Sequence, residues 1–482
     1  MNKIYILYKD LNFKNQIQYT FSVLFSILGI EIEYITKFNE KLIEKNLVIN
    51  YSDSTIKKNN LINIKPSYLF SQHYLKIESM PKVPLKKYNG FPVIYISNED
   101  NKNCYLNKDH KCLITNMDII QSSFFMIARY EEVLLWNRVD KDLYGRFPSS
   151  ESLAYKEGFL DIPIVNEYIE WLWNWIDSFN LGYTRKNIWG KYDFGACLTH
   201  DVDTPFKYIY SLKNDIKNLK IKKTALAYRD IFLHTLSNID YKKDSFYTFD
   251  YMKKIERKYN FTSSFYFMAG GETRYENFYK VDDKRIIKLI DKLNNDNCEI
   301  GYHYSFNSFD NLDKRKKEKD LLDKYTKDKK YGGRNHYLRF KASDSWRVSE
   351  EVGLLYDSTL SYADRAGFRC GICSPYKVFD ITQNKKLNLW EIPLILMEGS
   401  LKDKKYMNLN CDNAFEEIKK KINIVKKYKG VFTLLWHNSS FDKESWTGWK
   451  KVFEDTMKYL YKENALGVSG KEIITILNNK GD

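Results

Sequence analysis

Apolar positions along the chain follow two periods. Ile4–Tyr8 and Ile30–Ile35 are short β-branched and aromatic runs that predict strands, and Phe13–Leu28 between them has the pattern of a helix. Ile119–Trp136 repeats its apolar residues at helical spacing. Asp140–Leu160 reads as a long ordered loop carrying Gly145-Arg146-Phe147-Pro148, and Pro163 opens a predicted helix over Val165–Phe179 with Trp171 and Trp175 on one face. Beyond a boundary near 180–192 the alternation becomes regular. Phe194–Thr199, Thr262–Met268, Glu299–His303, Leu389–Leu396 and Gly430–Trp436 predict strands, while Lys284–Leu293 and Val348–Leu355 predict helices. Alternation of this kind belongs to an α/β protein with a parallel sheet or barrel. The 482 residues exceed one ordinary domain. We expect a smaller amino-terminal α/β domain over residues 1–185, with no chemistry attached to it, and a second domain over 186–482.

Polar residues recur where these strands end, which is where barrel active sites lie. Thr199-His200-Asp201-Val202-Asp203 follows a buried strand. Two carboxylates this close repel, so one would hold a cation or metal while the other keeps a usable proton affinity. A helix N-cap cluster ahead of Pro205 is the competing account, and spacing alone fits both. His303 and His437 each end a predicted strand, and His336 sits in Arg334-Asn335-His336-Tyr337. His73, His110 and His234 have ordinary polar or helical neighbours and read as structural or surface residues. Arg129-Tyr-Glu-Glu132 and Gly145–Pro148 hint at a packed or substrate-facing surface.

Composition narrows the class. Hydrophobic residues at 43% and charged residues at 29% fit a folded globular chain. The 38 tyrosines and 29 phenylalanines suit a large core and a sugar-stacking cleft, and they also match the general richness in Lys, Asn and Ile. Lys+Arg 77 against Asp+Glu 62 leaves +15, a field that attracts anionic partners. No zinc-finger spacing, RNA-binding aromatic motif or basic heptad accompanies the charge, so it reads as solvated surface and nucleic acid is not expected as a partner. No uncharged apolar run approaches the roughly 18 residues of a membrane span. Met1–Tyr8 reads as a strand rather than a signal peptide, and seven scattered cysteines favour a reducing compartment, so a cytoplasmic location is expected. Cys370-Gly-Ile-Cys373 lacks a second pair at zinc-ribbon distance and reads as a structural loop. Nothing in the sequence marks the oligomeric state.

Taken in order, Thr199–Asp203, Glu299-Ile-Gly-Tyr-His303, Arg334-Asn-His-Tyr337 and Leu434-Leu-Trp-His437 resemble the polysaccharide deacetylases of the NodB-homology type, carbohydrate esterase family four. That family shows a Thr-Phe-Asp-Asp or Asp-x-Asp motif, Glu-Ile-Gly-x-His-(Ser/Thr)-x-x-His, Arg-x-Pro-(Phe/Tyr)-Gly and a late Leu-x-x-His. The resemblance covers roughly residues 190–470. More narrowly, the chain is similar to a subgroup with an His-Asp-Val-Asp motif, a Gly-Phe-Arg-Cys-Gly segment (Gly367–Gly371) and an amino-terminal α/β extension. The resemblance implies a distorted (β/α) barrel, a divalent metal, zinc foremost, and hydrolysis of an N-acetyl group on an amino sugar of a surface polysaccharide or its precursor.

Carried over residue by residue, the resemblance makes Asp201 the general base and Arg334 the group that orients it. Asp203 and His303 become metal ligands, and His437 the acid that protonates the leaving amine. Tyr337 falls where a backbone N–H helps bind the oxyanion. Three departures stand out. Asn307 occupies the place of the second metal histidine, and an amide oxygen is a poor zinc ligand beside imidazole. His336 replaces the proline of the third motif, so His336 is expected to complete the metal site, with Asn307 or Ser308 next in line; a place behind the ligands or against the substrate fits His336 equally well. His200 stands in place of an aromatic residue, either near the site or as a buried histidine bonded to backbone.

Asp364, Arg365 and Trp446 are candidate substrate contacts; Glu391 and Glu398 are placed to face the cleft, and Trp449 reads as core or as a second stacking ring. Phe206–Ser245 reads as an insertion, either a lid or a surface excursion. Two alternatives stay open: a hydrolase of another C–N bond on the same fold, and a catalytically degenerate glycan binder, which Asn307 keeps in play.

Overall fold

A computed structural model describes residues 3–97, 103–109, 112–207, 241–276 and 278–479. His110, His234 and residues 208–240 of the Phe206–Ser245 segment fall outside the described residues. The expected α/β class holds. The amino-terminal sheet runs in the order β2 (Ile32–Ile35), β1 (Ile4–Tyr8), β3 (Val48–Tyr51), β4 (Leu61–Ile64), β8 (Cys112–Thr115) and β7 (Leu106–Asp109). It is parallel except for β7 against β8. A small hairpin, β5 (Lys86–Tyr88) with β6 (Phe91–Val93), stands apart. Helices Lys14–Leu28, Ile119–Ile127 and Ile164–Asp177 cover one face, and their apolar stripes continue into the core of the carboxy-terminal half.

The single helix expected over Ile119–Trp136 is broken into Ile119–Ile127 and Tyr130–Leu135. Arg129 between them takes φ 54, the left-handed region that costs a side-chain-bearing residue free energy. Its guanidinium is fully buried and donates to Glu132 and to the Arg369 carbonyl, and that network holds the break open.

The carboxy-terminal sheet follows β14 (Tyr376–Asp380), β15 (Lys385–Glu391), β13 (Tyr356–Asp357), β12 (Gly333–Asn335), β11 (Glu299–Tyr304), β10 (Ser264–Phe267), β9 (Phe194–Val202), β17 (Val431–Leu435) and β16 (Leu396–Met397). A tenth strand, β18 (Ala465–Val468), also pairs with the start of β9. All neighbours are parallel except β14 with β15. The Leu389–Leu396 run, expected as one strand, is split. Its first part is β15 and its last residue enters β16, with Pro393 in the crossing between them. These two strands sit toward opposite ends of the sheet path, yet a span from Glu391 to Leu396 reaches at most about 17 Å when fully extended. The sheet must therefore curl until its ends meet, which makes an almost closed barrel.

Alternation along β9 then fixes every orientation. Ala196, Leu198, His200 and Val202 face the surrounding helices, while Cys197, Thr199, Asp201 and Asp203 face the interior. The lower interior is apolar, filled by Cys197, Tyr266, Tyr356, Ile392 and Val431. Gly333 permits tight closure: a Cβ there would stand 2.1 Å from the Tyr302 carbonyl oxygen. The expected helix Val348–Leu355 is found earlier, at Asp344–Glu351, because Gly353 at φ 77 ends it.

One pair in this half predicts a pH-dependent stability. Asp357 and Glu391 are register partners on β13 and β15, both fully buried. Asp357 Oδ1 accepts from Thr359 N–H, and Oδ2 has no partner. Burial raises both carboxyls, with their mutual repulsion adding to the rise of Glu391. A raised folded-state pKa favours the protonated fold, so the stability linked to this pair is present at low pH and lost as pH rises through the raised values. Asp357→Asn keeps the Oδ1 acceptor and gives Glu391 a donor. Urea unfolding should show it at least as stable as the parent at pH 6 and ahead by about 1 kcal/mol at pH 9. A parent that gains on the variant as pH rises would contradict the pairing.

Candidate metal centre and active site

The upper ends of β9, β11, β12 and β17 bring the strand-end residues together around a cavity of about 1150 Å³. Asp203, His303 and His336 each offer one ligand atom, all within 4.8 Å of one another. Their lone pairs are set by what lies behind them. His303 Nδ1 is 2.9 Å from the Arg334 carbonyl oxygen; a carbonyl only accepts, so Nδ1 carries the proton and Nε2 is left as a lone pair. That lone pair is 3.1 Å from Asp203 Oδ1, and both atoms are buried without a hydrogen-bond partner. His336 Nε2 lies 3.8 Å from the same oxygen. Two unpartnered acceptors facing each other repel unless a cation lies between them. Zinc ligands at about 2.1 Å in tetrahedral geometry stand about 3.4 Å apart, which these separations bracket. The three residues therefore fit a divalent metal, and the cavity side is open to further ligands, as Asp203 retains 27% of its side-chain exposure.

Charge in this cluster follows from the same contacts. Burial opposes ionisation of Asp203, but His336 and His303, in the charged forms they take at acid pH, outweigh it and hold the carboxyl well below its usual range. Burial pushes His336 down to about 4, which leaves it neutral, the form that binds metal. Asn307 is exposed and accepts from the Arg339 guanidinium, and Ser308 donates to the Ser305 carbonyl; neither is among the three converging residues.

Asp201 and His437 flank the trio. Arg334, fully buried, donates from Nη1 to Asp201 Oδ1 and Thr199 Oγ1, each at 2.9 Å, and from Nε and Nη2 to Ser358. Its guanidinium rests 5.1 Å from the centre of the Tyr266 ring, at the top of the apolar plug. Asp201 Oδ2 is 3.8 Å from His303 Nδ1. Opposite, His437 Nε2 stands 3.5 Å from Asp203 Oδ2, and Nδ1 is 2.7 Å from Glu398 Oε1. Glu398 is fully buried and also accepts from the His437 N–H and the Ser440 hydroxyl. Burial disfavours a charged His437, yet Glu398 carries it up to about 10, so this imidazole holds a proton at neutral pH.

The remaining candidates divide. Tyr337 and Trp446 line the cavity, whereas Asp364 and Arg365 lie off its lining. Asp364 accepts from Ser149 Oγ, and Arg365 is exposed over the Tyr155 ring, because their loop turns toward the amino-terminal half. Trp449 is buried against Trp436. His200 points away, to Glu256 and the Trp436 carbonyl, as its even position on β9 requires. Glu391 is core, bonded to Trp346. Cys370 and Cys373 are buried free thiols, and burial pushes Cys370 up to about 12. Tyr337 at φ 60 and Leu338 at φ 54 are successive left-handed residues directly after His336, a conformation that costs about 1–3 kcal/mol each and is found where a site dictates it.

Several further residues line the site, and of these only Arg146 lies in a segment, Gly145–Pro148, whose sequence hints at a packed or substrate-facing surface. Glu276 lines the cavity with Oε2 at 3.9 Å from His336 Nδ1, and it accepts from the N–H groups of Glu272 and Thr273. Tyr144, Arg146 and Tyr406 also line it; the first two belong to the amino-terminal segment. Among the described residues no helix is long and apolar enough to cross a membrane.

Residues 5–180 match a model described as a family of unknown function (DUF7033). No curated protein matches the sequence. Solved structures similar to the chain include a putative polysaccharide deacetylase from Mycobacterium smegmatis, 13% identical, covering 60% of this chain and 92% of that one at a TM-score of 0.40. One described as Puue allantoinase is 13% identical, with 60% and 92% covered and a TM-score of 0.41. A probable polysaccharide deacetylase from Pseudomonas aeruginosa PAO1 is 13% identical, with 62% and 96% covered and a TM-score of 0.41.

Proposed function

We propose that the chain is a zinc-dependent hydrolase that removes an N-acetyl group from an amino sugar of a surface polysaccharide or its precursor. The observation that carries this reading is the facing pair of unpartnered atoms, Asp203 Oδ1 and His303 Nε2, with His336 beside them and a base and an acid on either side. Asp203, His303 and His336 would hold the ion. Bound there, zinc would polarise the acetamide carbonyl and lower the pKa of water toward about 7. Asp201 takes the proton of the attacking water, and Arg334 fixes its carboxylate from behind. His437, held by Glu398 and already protonated, delivers a proton to the leaving nitrogen, which is a poor leaving group without one. Tyr406 and Trp446 on the cavity wall supply surface for pyranose rings, while Tyr144 and Tyr337 pack on each other. We take the region near residue 185 as the seam between two domains. Seven cysteines, none joined in a disulfide, support a cytoplasmic reaction on a precursor.

Metal analysis tests the reading. The purified chain should carry close to one zinc per molecule and release acetate from N-acetylglucosamine oligomers. His336→Ala should lose the metal and Asn307→Ala keep it. A chain that takes up no metal, or a His336→Ala protein with full metal content, would overturn the assignment.

A further inference from the structure

The amino-terminal segment enters the cavity through one tight turn. Asp142 Oδ1 accepts the N–H groups of Tyr144 at 2.9 Å and Arg146 at 3.0 Å, and Asp142 N–H donates to the Arg146 carbonyl at 3.1 Å. Gly145 sits at φ 72, where a Cβ would stand 3.2 Å from the Arg339 guanidinium, so the turn passes close beneath the other half of the molecule. The turn projects Arg146, which is buried. Its Nε donates to Asp142 Oδ2 at 2.6 Å, Nη1 to the Tyr337 carbonyl at 3.0 Å, and Nη2 to the Tyr406 hydroxyl at 3.1 Å. Tyr144 lies on Tyr337, their ring centres 4.6 Å apart.

Asp142 neutralises Arg146 and the cavity wall encloses it, so this guanidinium does not offer free charge to a substrate. Its bond at the metal centre goes to a backbone carbonyl, and that carbonyl belongs to the first of the two left-handed residues after His336. Returning Tyr337 or Leu338 to the ordinary φ < 0 region would rotate the peptide between them. The Tyr337 carbonyl would swing off Arg146 and the backbone under His336 would turn with it. Resting on the metal-dependent reading above, we propose that Arg146 is a positioning residue. The amino-terminal segment locks the Tyr337–Leu338 turn and thereby fixes the imidazole that completes the metal site. Residues 5–180 would then be part of the catalytic unit.

The test is zinc affinity of the full chain, measured by competition with a chromophoric chelator, beside the melting temperature of the metal-free protein. Arg146→Met should bind zinc about 10- to 100-fold more weakly, the loss usual when a ligand's support is removed. Tyr406→Phe, which deletes a bond that does not lead to the turn, should bind as the parent does. Should Arg146→Met fail to fold, Arg146→Lys carries the test; its ammonium cannot serve all three acceptors, and severalfold weaker binding is expected. A purely structural role would lower the melting temperature and leave zinc affinity within about twofold of the parent, and that result overturns the proposal. A parent chain that binds no zinc defeats the metal-dependent reading itself and this inference with it.

Discussion

Asp201→Asn should abolish acetate release while the metal and the fold stay in place. The substitution keeps an Oδ1 that can accept from Arg334 Nη1, so the geometry behind the base is preserved. It removes the charge, and with it the ability to accept a proton from water. General-base assistance contributes about 10²–10⁴-fold, and a loss of about a thousandfold is expected. Arg334 is fully buried and would lose its ionised partner, so a fall in melting temperature should accompany the loss. Zinc content should not change, because Asp203, His303 and His336 are untouched. Residual activity within tenfold of the parent, at full metal occupancy, would show that the proton goes elsewhere.

The second large effect is on stability. Glu132 accepts from Arg129 Nη2 at 2.7 Å and from Arg369 Nε and Nη2 at 2.8 Å each, and all three side chains are at most 2% exposed. Burial opposes its charge, but Arg369 and Arg129 outweigh that and hold the carboxyl down at about 2. Because the folded-state value is depressed, the stabilisation is present above the usual carboxylate range and lost as pH falls toward about 2. Glu132→Ala leaves two buried guanidiniums with Glu131 as the remaining carboxylate in the network. Removing one partner of such a group costs about 3–5 kcal/mol, a large part of the 5–15 kcal/mol that holds a folded domain. Denaturant unfolding at pH 7 should register it, and the gap between variant and parent should narrow in acid. A change below about 1 kcal/mol would mean that the two guanidiniums find compensation elsewhere.

What could be read from the sequence was whatever depends on local order. Thr199–Asp203, His303, Arg334 and His437 stand at strand ends, and a period of two is enough to turn their side chains inward once the strands are recognised. The departure at position 307 raised His336 as a candidate beside Asn307 and Ser308, and it is the ligand atoms of Asp203, His303 and His336 that converge. The helix break at Arg129 and the split at Pro393 were invisible. Both are imposed by partners far along the chain: Arg369 in one case, and the closing of the barrel in the other. Glu398 supports His437 from 39 positions away, and Arg146 reaches Tyr337 across 191. No spacing rule links such pairs, because what aligns them is the curl of the sheet. That Asp364 and Arg365 stand off the cavity lining was illegible for a related reason: a polar loop after a motif looks alike whether it faces the cavity or the other half of the protein.

The pairing of β9 with β17 and β18 has a consequence for the chain during its synthesis. Thr199 is bonded to Leu434, 235 residues later, and β18 joins the same strand later still. At about 5–20 residues per second, the ribosome needs roughly 10–50 s to supply those partners. Through that interval the strand bearing both aspartates lacks the neighbours that bury it on one side, and a nascent chain in that state depends on chaperones or on its own amino-terminal half for cover.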